Sequence, residues 1–302
     1  MGLVVDYGGL LVYSRVRIRV VKTVSSSQSV SRLQVLEQVD KHLEKGDERL
    51  ALSLVKDLQG KPGGFLGFGA ARQIPQRLYS LDELKLNGIV TQSILSPTDT
   101  TLGSIERALQ LAAVSGGLSA WAAFGFTQQQ ILFLSLGFLF LWSVDAHEAG
   151  HFLIAYLLGV LPKGYSLSSL EALRKEGSLN VQAGTTFVDF EFLEEVNTGK
   201  VSAKMLNRFS CIALAGVATE YTLFGYSEGG LADIYQLDGL LKSLGFTQKK
   251  ADSQVRWAVL NTILILRRHE KARSELAEAM SMGSSVGFCI QAIEKAIDVA
   301  DI

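Results

Sequence analysis

The sequence predicts a mainly α-helical protein with one small β-hairpin, preceded by an apolar membrane segment and an N-terminal helical hairpin. Three observations support this fold class. Apolar residues recur at helical spacing through most of residues 200–302, one stretch near residue 180 alternates as a strand does, and residues 111–144 are strongly apolar. The 302 residues are enough for one large or two modest domains.

Charge and cysteine content exclude several kinds of partner and site. The formal net charge is −1 and the chain has no dense basic run, so a nucleic-acid partner is not expected. The two cysteines, Cys211 and Cys289, form neither a CxxC motif nor a disulfide framework. They are predicted to be core residues of a protein from a reducing compartment.

The N-terminal residues 1–30 differ in composition from the rest of the chain. They carry four basic residues against one acid, Asp6, and a serine-rich stretch lies at residues 25–29. This Arg- and Ser-rich, acid-poor profile indicates an organellar transit segment. Residues 15–20 also alternate with period two, so an N-terminal surface strand is the alternative.

Residues 31–110 are predicted to be a helical region followed by a linker. A helical hairpin is expected over residues 31–60, because two apolar helical faces flank a break at Gly46-Asp47. Such a hairpin suits docking to a partner. The glycine-rich residues 61–69 lack the GK[ST] ending of a phosphate-binding loop, so a linker is expected there. The two faces consist of Leu33, Leu36, Val39 and Leu43, and of Leu50, Leu54, Val55 and Leu58.

Two apolar runs then predict attachment to a membrane. Residues 111–126 are uncharged and rich in alanine and glycine, and residues 131–144 are strongly apolar. Each run is shorter than the roughly 20 residues that a spanning helix needs. Together they fit a short hairpin of two membrane segments, or one span with a small-residue helix packed on it. A buried pair of core helices is the alternative.

Residues 147–151 read HEAGH, an instance of the HExxH motif. On a helix, His147 and His151 stand at i and i+4 on one face, so their imidazoles can converge on one tetrahedral zinc ion. Glu148 then lies beside the metal, where it can take the proton of a zinc-bound water that attacks a peptide carbonyl. The alternative is a buried polar cluster without metal, but burial of three ionisable groups in so apolar a helix is unfavourable.

The segments after this motif predict the remaining elements. Residues 161–164 are expected to end the HEAGH helix, and residues 178–192 alternate like one or two short strands. An exposed strand beside the metal helix commonly aligns an extended substrate in zinc peptidases, although a plain β-hairpin fits the pattern equally well. The rest of the chain is predicted to be helical, over residues 200–224, 231–244 and 247–270 and from there to residue 302.

Three acidic residues compete to be the third metal ligand. Asp238 stands at i,i+4 from Lys242 and is predicted to form a surface ion pair with it. Glu220 extends a buried helical stripe, which suits a supporting carboxylate that orients a histidine or braces the helix. Asp233 is expected to point inward and is assigned as the ligand. Its predicted helix face also carries Leu237, Leu240, Leu241 and Leu244.

These motifs together resemble the peptidase domain of the FtsH family of zinc metallopeptidases. The resemblance rests on HEAGH, on the helix at residues 215–225 with its glycine and Glu220, and on the glycine-containing segment that ends at Asp233. It covers the predicted peptidase domain at residues 145–302. It implies that His147, His151 and Asp233 bind zinc and that Glu148 is the general base. Polypeptides are the substrates that it implies.

The chain also departs from that family. It contains no GxxxxGK[ST] sequence, so the ATPase module that delivers unfolded substrates is absent from it, and an ATPase or FtsH-like partner is the expected supplier. Val217 stands where the family usually has arginine. The transit-like start, the motif at residues 72–79 and the apolar runs make the whole chain similar to an ATPase-free group in plant chloroplasts. This similarity implies a thylakoid or envelope membrane location.

Two other functions fit part of the sequence. Site-2 proteases place HExxH in a membrane helix and take a ligand from a Leu-Asp-Gly segment, which residues 237–239 match. Lysines at positions 242, 249 and 250 make the surroundings of Asp238 too polar for a membrane segment. A non-catalytic scaffold or assembly partner is the other alternative, and the helical hairpin at residues 31–60 favours it.

Overall fold

The computed structural model describes residues 32–95, 146–167, 184–227 and 230–302. The predicted transit segment at residues 1–30 and the apolar runs at 111–126 and 131–144 lie outside these ranges. Among the described residues, no helix combines the length and apolar character needed to cross a membrane. This part of the chain is mainly helical and contains a small antiparallel pair of strands, as predicted.

The described elements have the following order along the chain. The first half consists of α1 (residues 32–44), α2 (Glu48–Asp57), α3 (Leu81–Leu86), α4 (Thr91–Leu95), α5 (residues 146–157), β1 (Pro162–Ser166) and β2 (Gly184–Phe187). The second half consists of α6 (Phe190–Asn197), α7 (Ala203–Ala213), α8 (Ala215–Phe224), α9 (Leu231–Ser243), α10 (Gln248–Arg268), α11 (Glu270–Ser281) and α12 (Val286–Ala296), followed by a 3-10 turn (Val299–Asp301).

Helices α1 and α2 form the predicted hairpin. Gly46 has φ +74°, a conformation that glycine adopts without strain, and the Asp47 side chain caps α2 by accepting a hydrogen bond from Leu50 N. The buried faces are shorter than the sequence pattern indicated, because Leu33 is 41% exposed and Leu50 is 50% exposed.

The hairpin shares its core with the rest of the described chain. Its buried residues belong to one cluster with those of α5, α10 and α12. Asp40 on α1 accepts a hydrogen bond at 2.7 Å from the backbone of Gly287 at the start of α12. A Cβ on Gly287 would lie 2.9 Å from Leu36 O, so α1 and α12 approach closely. The hairpin therefore supports the core that contains the HEAGH helix.

The glycine-rich residues 61–69 are packed, which corrects their interpretation as a linker. Phe65 and Phe68 are buried in the common core. The backbone N–H of Gly69 donates to Tyr156 O at 3.0 Å, and that of Ala71 donates to Leu157 O at 2.9 Å. The segment thus covers the carbonyls that end α5, and its aromatic side chains supply the burial that composition alone did not reveal.

Glu294 holds this segment in place. Its carboxylate accepts hydrogen bonds from Leu66 N at 3.0 Å, Gly67 N at 2.8 Å and the Tyr156 hydroxyl at 2.7 Å. Arg32 lies 3.5 Å from the same carboxylate, whose side chain is only 1% exposed. This buried carboxylate links α1, the glycine-rich segment, α5 and α12.

Helix α5 carries the HEAGH motif and is buried almost throughout. Every residue from 152 to 157 is 0% exposed. A Cβ on Gly150 would lie 2.2 Å from Thr219 Oγ1 and 2.8 Å from Ala215 O on α8. Glycine at this position therefore lets α5 and α8 pack with their backbones unusually close.

The predicted strand region differs from the structure in its limits. Strand β2 pairs with β1 in antiparallel register, with Tyr165 opposite Thr185. Residues 178–183 lie outside the described ranges, and Phe190 begins α6 instead of extending a strand. Helix α5 ends before the predicted boundary at 161–164, because Gly159 turns the chain at φ +79° and Pro162 already begins β1.

The helical prediction for the second half is confirmed with one refinement. The predicted helix over residues 200–224 is divided at Leu214 into α7 and α8. Helices α9 and α10 match their predicted ranges to within two residues. Cys211 and Cys289 are free and buried, as predicted for core residues. Burial raises the pKa of their thiols to about 11 and about 12, respectively, which makes them poor nucleophiles.

The Glu294 carboxylate is expected to stabilise the fold strongly. Glu294→Ala leaves two backbone N–H groups and a tyrosine hydroxyl without their acceptor and removes the ion-pair partner of Arg32, so the free energy of unfolding should fall by about 3 kcal/mol or more. Glu191→Ala is the matched control, because Glu191 pairs with Lys56 at an exposed site and should contribute less than about 1 kcal/mol. Urea unfolding of the full chain measures both. Equal losses for the two variants would contradict this role of Glu294.

Candidate metal centre

Three side chains that the sequence assigned to a metal converge in the structure. His147 Nε2 lies 3.1 Å from His151 Nε2 and 3.2 Å from Asp233 Oδ2. His151 Nε2 lies 3.3 Å from the same carboxylate oxygen. The two histidines come from successive turns of α5, and Asp233 comes from the first turn of α9. These three residues form a group that can hold a metal ion.

Hydrogen bonds on the far side of each ring fix which nitrogen faces the cluster. His151 Nδ1 lies 2.7 Å from the carbonyl oxygen of Ile212, which can only accept, so Nδ1 donates. His147 Nδ1 lies 2.7 Å from Glu220 Oε1, and the ionised carboxylate likewise only accepts. In the neutral rings, both Nε2 atoms therefore present lone pairs to the centre. Together with Asp233 they bring three electron-pair donors, and no proton donor, to one point.

The spacing of the three atoms fits a tetrahedral zinc site. Ligand atoms about 2.0–2.1 Å from zinc, at tetrahedral angles, are about 3.3 Å apart. The three distances of 3.1, 3.2 and 3.3 Å are close to that value. Two imidazoles and one carboxylate also form a donor set that zinc accepts, with the fourth position left for water or substrate.

The electrostatics of the cluster favour positive charge at its centre. Burial by itself would lower the pKa of His147, but hydrogen bonds to Asp233 and Glu220 outweigh burial and raise the pKa to about 10. Burial would raise the pKa of Asp233, but hydrogen bonds with His147 and His151 hold it well below its usual range. A proton or a metal cation can supply that charge, and metal binding must displace the proton.

Two glycine residues lack the side chain that would otherwise collide with the imidazole of His147. A Cβ on Gly216 of α8 would lie 2.2 Å from His147 Nε2 and within 2.5 Å of two other ring atoms. Gly230, which precedes α9 with φ +75°, also lies next to the ring, because a Cβ there would approach His147 Cε1 to 3.2 Å. The ring is thus enclosed by backbone on α8 and at the start of α9, and larger side chains at these positions would displace it.

Glu220 occupies the supporting position that the sequence assigned to it. It lies on the buried face of α8, and its side chain is 9% exposed. By accepting from His147 Nδ1 it fixes the orientation of the ring and increases the basicity of Nε2. The corresponding support for His151 comes from the backbone of Ile212 at the end of α7, which no sequence pattern identified.

Glu148 has a partner that the sequence analysis missed. Its side chain is buried beside His147, and Thr185 Oγ1 donates a hydrogen bond at 2.8 Å to Glu148 Oε2. The alternation of residues 178–192 predicted one or two short strands, with a place beside the metal helix as one alternative, but not which side chain would contact Glu148. Because that contact joins residues 37 positions apart, local periodicity contains no signal for it.

Asp238 lies outside the group formed by His147, His151 and Asp233. It is 45% exposed and pairs with Lys242, with 2.5 Å between Oδ2 and Nζ, as its i,i+4 spacing predicted. The Leu-Asp-Gly segment that suggested a site-2 protease therefore contributes a surface ion pair, and Asp233 is the acid that faces the histidines.

Comparison with protein-family models, with curated proteins and with solved structures found no match to this chain. The family resemblance stays a prediction from the motifs, and the geometry of the centre is independent of it.

A substitution at Gly216 tests whether the shape of this centre determines metal binding. Gly216→Ala inserts a methyl group into the space of the His147 ring, so metal affinity should fall by at least about tenfold. Gly239→Ala is the control, because a Cβ there meets nothing within 4 Å and alanine favours the helix. Titration of the metal-free proteins with zinc, followed by calorimetry, compares the two. Wild-type affinity in Gly216→Ala, in a protein that is still folded by circular dichroism, would contradict the described geometry.

Proposed function

We propose that this protein is a zinc metalloendopeptidase in which His147, His151 and Asp233 hold the metal and Glu148 is the general base. The observation that carries the proposal is the convergence of three lone-pair donors beside the buried carboxylate of Glu148. Glu148 lies on the same helix as the two histidines. A purely structural zinc site has four protein ligands. Three protein ligands and a neighbouring base are instead the arrangement used for metal-assisted hydrolysis.

The chain's own residues supply orientation and proton transfer. When bound, zinc would lower the pKa of a water molecule and polarise the carbonyl that is attacked. Glu148 would accept the water proton at Oε1, because Oε2 is already engaged by Thr185. The oxygen left by that deprotonation would bond to the carbonyl carbon, the carbon–nitrogen bond would break, and Glu148 would pass the proton to the departing amine. Glu220 would keep the His147 ring oriented throughout.

An extended polypeptide is the proposed substrate. Strand β2 lies beside Glu148, and a strand at such a position can align an extended chain through backbone hydrogen bonds. Because the sequence has no ATPase motif, hydrolysis should require no ATP and should act on unfolded chains. Folded substrates would need an ATPase partner. The proposed chloroplast membrane attachment rests on residues outside the described ranges, and the metal centre does not depend on it.

Neither alternative function gains support from the site. The site-2 interpretation needs Asp238 at the metal, whereas Asp238 is exposed and paired with Lys242. The scaffold interpretation was favoured by a hairpin suited to docking a partner, whereas α1 and α2 bury most of their apolar residues in the common core and leave Leu33 and Leu50 exposed. Both observations favour the peptidase proposal.

The choice between the two aspartates can be measured directly. Purified full-length protein should retain about one zinc ion per chain, and Asp233→Ala should lose most of it because only two ligands remain. Asp238→Ala removes a carboxylate from the same helix at the surface and should retain the metal. Elemental analysis after dialysis gives the zinc content. Loss of zinc in Asp238→Ala but not in Asp233→Ala would overturn the ligand assignment.

A substitution at Glu148 separates the rate of hydrolysis from the binding of the metal. Glu148→Gln keeps the shape of the side chain and removes its basicity, so zinc should remain bound while hydrolysis of an unfolded protein such as casein falls at least about 100-fold. Glu191→Gln, at an exposed position, is the matched control. If the wild-type protein, loaded with zinc, shows no hydrolysis that a chelator abolishes, the peptidase proposal is wrong.

A further inference from the structure

A side chain outside the HEAGH motif contacts the carboxylate of the proposed base. Thr185 Oγ1 lies 2.8 Å from Glu148 Oε2 and 3.3 Å from the backbone oxygen of the same residue. Glu148 is only 6% exposed, so water competes little for this carboxylate oxygen. A hydroxyl that donates to a buried carboxylate forms a charge-assisted hydrogen bond, which is stronger than a neutral one.

Thr185 is held in this position by the strand pair. Only four residues separate the end of α5 from the start of β1, and Val188 N donates to Leu161 O at 2.8 Å just before β1 begins. Opposite Thr185 in the register lies Tyr165. The hydroxyl of Tyr165 donates to Ser284 O at 2.6 Å, which ties the pair to the turn between α11 and α12. Thr185 is therefore presented to α5 by an element anchored at two places.

The two threonines of β2 point in opposite directions. Thr186 Oγ1 donates to Gly164 O on the neighbouring strand and is exposed, whereas Thr185 faces Glu148. This follows from the alternation of side chains along a strand. A shift of one residue in the pairing of β1 with β2 would remove the hydroxyl from Glu148, so the register of the strand pair determines the contact.

We propose that Thr185 is a positioning residue that holds Glu148 in its productive orientation, and this inference rests on the proposed peptidase function. A glutamate side chain has three rotatable bonds, and a general base must lie within hydrogen-bond reach of the proton that it removes. By engaging Oε2, Thr185 restricts those rotations and leaves Oε1 free to accept the proton. Since Thr185 belongs to β2, this hydrogen bond joins the base to the strand proposed to align the substrate.

Two substitutions at Thr185 separate the hydroxyl from the packing of the side chain. Thr185→Val keeps the branched shape and removes the donor, so kcat on an unfolded peptide substrate should fall roughly tenfold while zinc content stays at the wild-type level. KM should change by less than about twofold, since the substrate-binding surface is retained. Thr185→Ser restores the hydroxyl and should recover most of kcat. Thr198→Val, at an exposed helix end, controls for the threonine-to-valine change itself.

A second readout does not depend on activity. In crystal structures of the zinc-loaded full chain, Glu148 should occupy a single conformation in the wild type and several in Thr185→Val. Wild-type kcat and a single Glu148 conformation in Thr185→Val would overturn the inference, as would a loss in Thr185→Ser equal to that in Thr185→Val. A wild-type protein that binds zinc but hydrolyses nothing would refute the peptidase function. The conformations of Glu148 would then still decide whether Thr185 positions it.

Discussion

The close packing of α5 against α8 is the constraint on which the candidate centre depends. Gly150 brings the two backbones together, and Gly216 leaves the space that the His147 ring fills. The same packing places Glu220 behind His147, and the preceding helix end places Ile212 O behind His151. The orientation of both imidazoles, and therefore the direction of both lone pairs, follows from this one helix contact.

The assembled site concentrates negative charge around the two histidines. Glu148, Glu220 and Asp233 place three carboxylates around two imidazoles in a largely buried space. A bound divalent cation offsets two of these negative charges and satisfies the lone pairs at the centre. A metal that binds only the folded arrangement also stabilises the fold, so the site links function to stability. The hydrogen bonds of Glu294 hold the end of α5 against the glycine-rich segment.

Sequence reasoning was most successful where the signal is local. HEAGH placed two histidines on one helix face, the apolar neighbours of Asp233 predicted that it points inward, and the i,i+4 spacing of Asp238 and Lys242 predicted their pairing. These predictions depend only on helix geometry. Helix geometry also predicted a supporting role for Glu220, because Glu220 lies on the buried face of α8 that packs against α5.

The features that escaped prediction are contacts between distant segments. Thr185 contacts Glu148 from a strand that pairs with β1, and Glu294 accepts hydrogen bonds from Leu66 N and Gly67 N across more than 220 residues. The glycine-rich segment had the composition of a linker, and its burial became apparent only from the aromatic side chains that it inserts into the core. Composition and periodicity describe a segment by itself, whereas these roles are defined by partners elsewhere in the chain.

X-ray absorption at the zinc edge of the purified full-length protein tests the metal centre most directly. The spectrum should show about four nitrogen or oxygen neighbours at about 2.0–2.1 Å, with the multiple-scattering pattern of two imidazoles and no sulfur. In Asp233→Ala the number of nitrogen and oxygen neighbours contributed by the protein should fall and zinc should dissociate on dialysis. A sulfur neighbour at about 2.3 Å, or a spectrum unchanged by Asp233→Ala, would contradict the assignment of His147, His151 and Asp233 as the metal ligands.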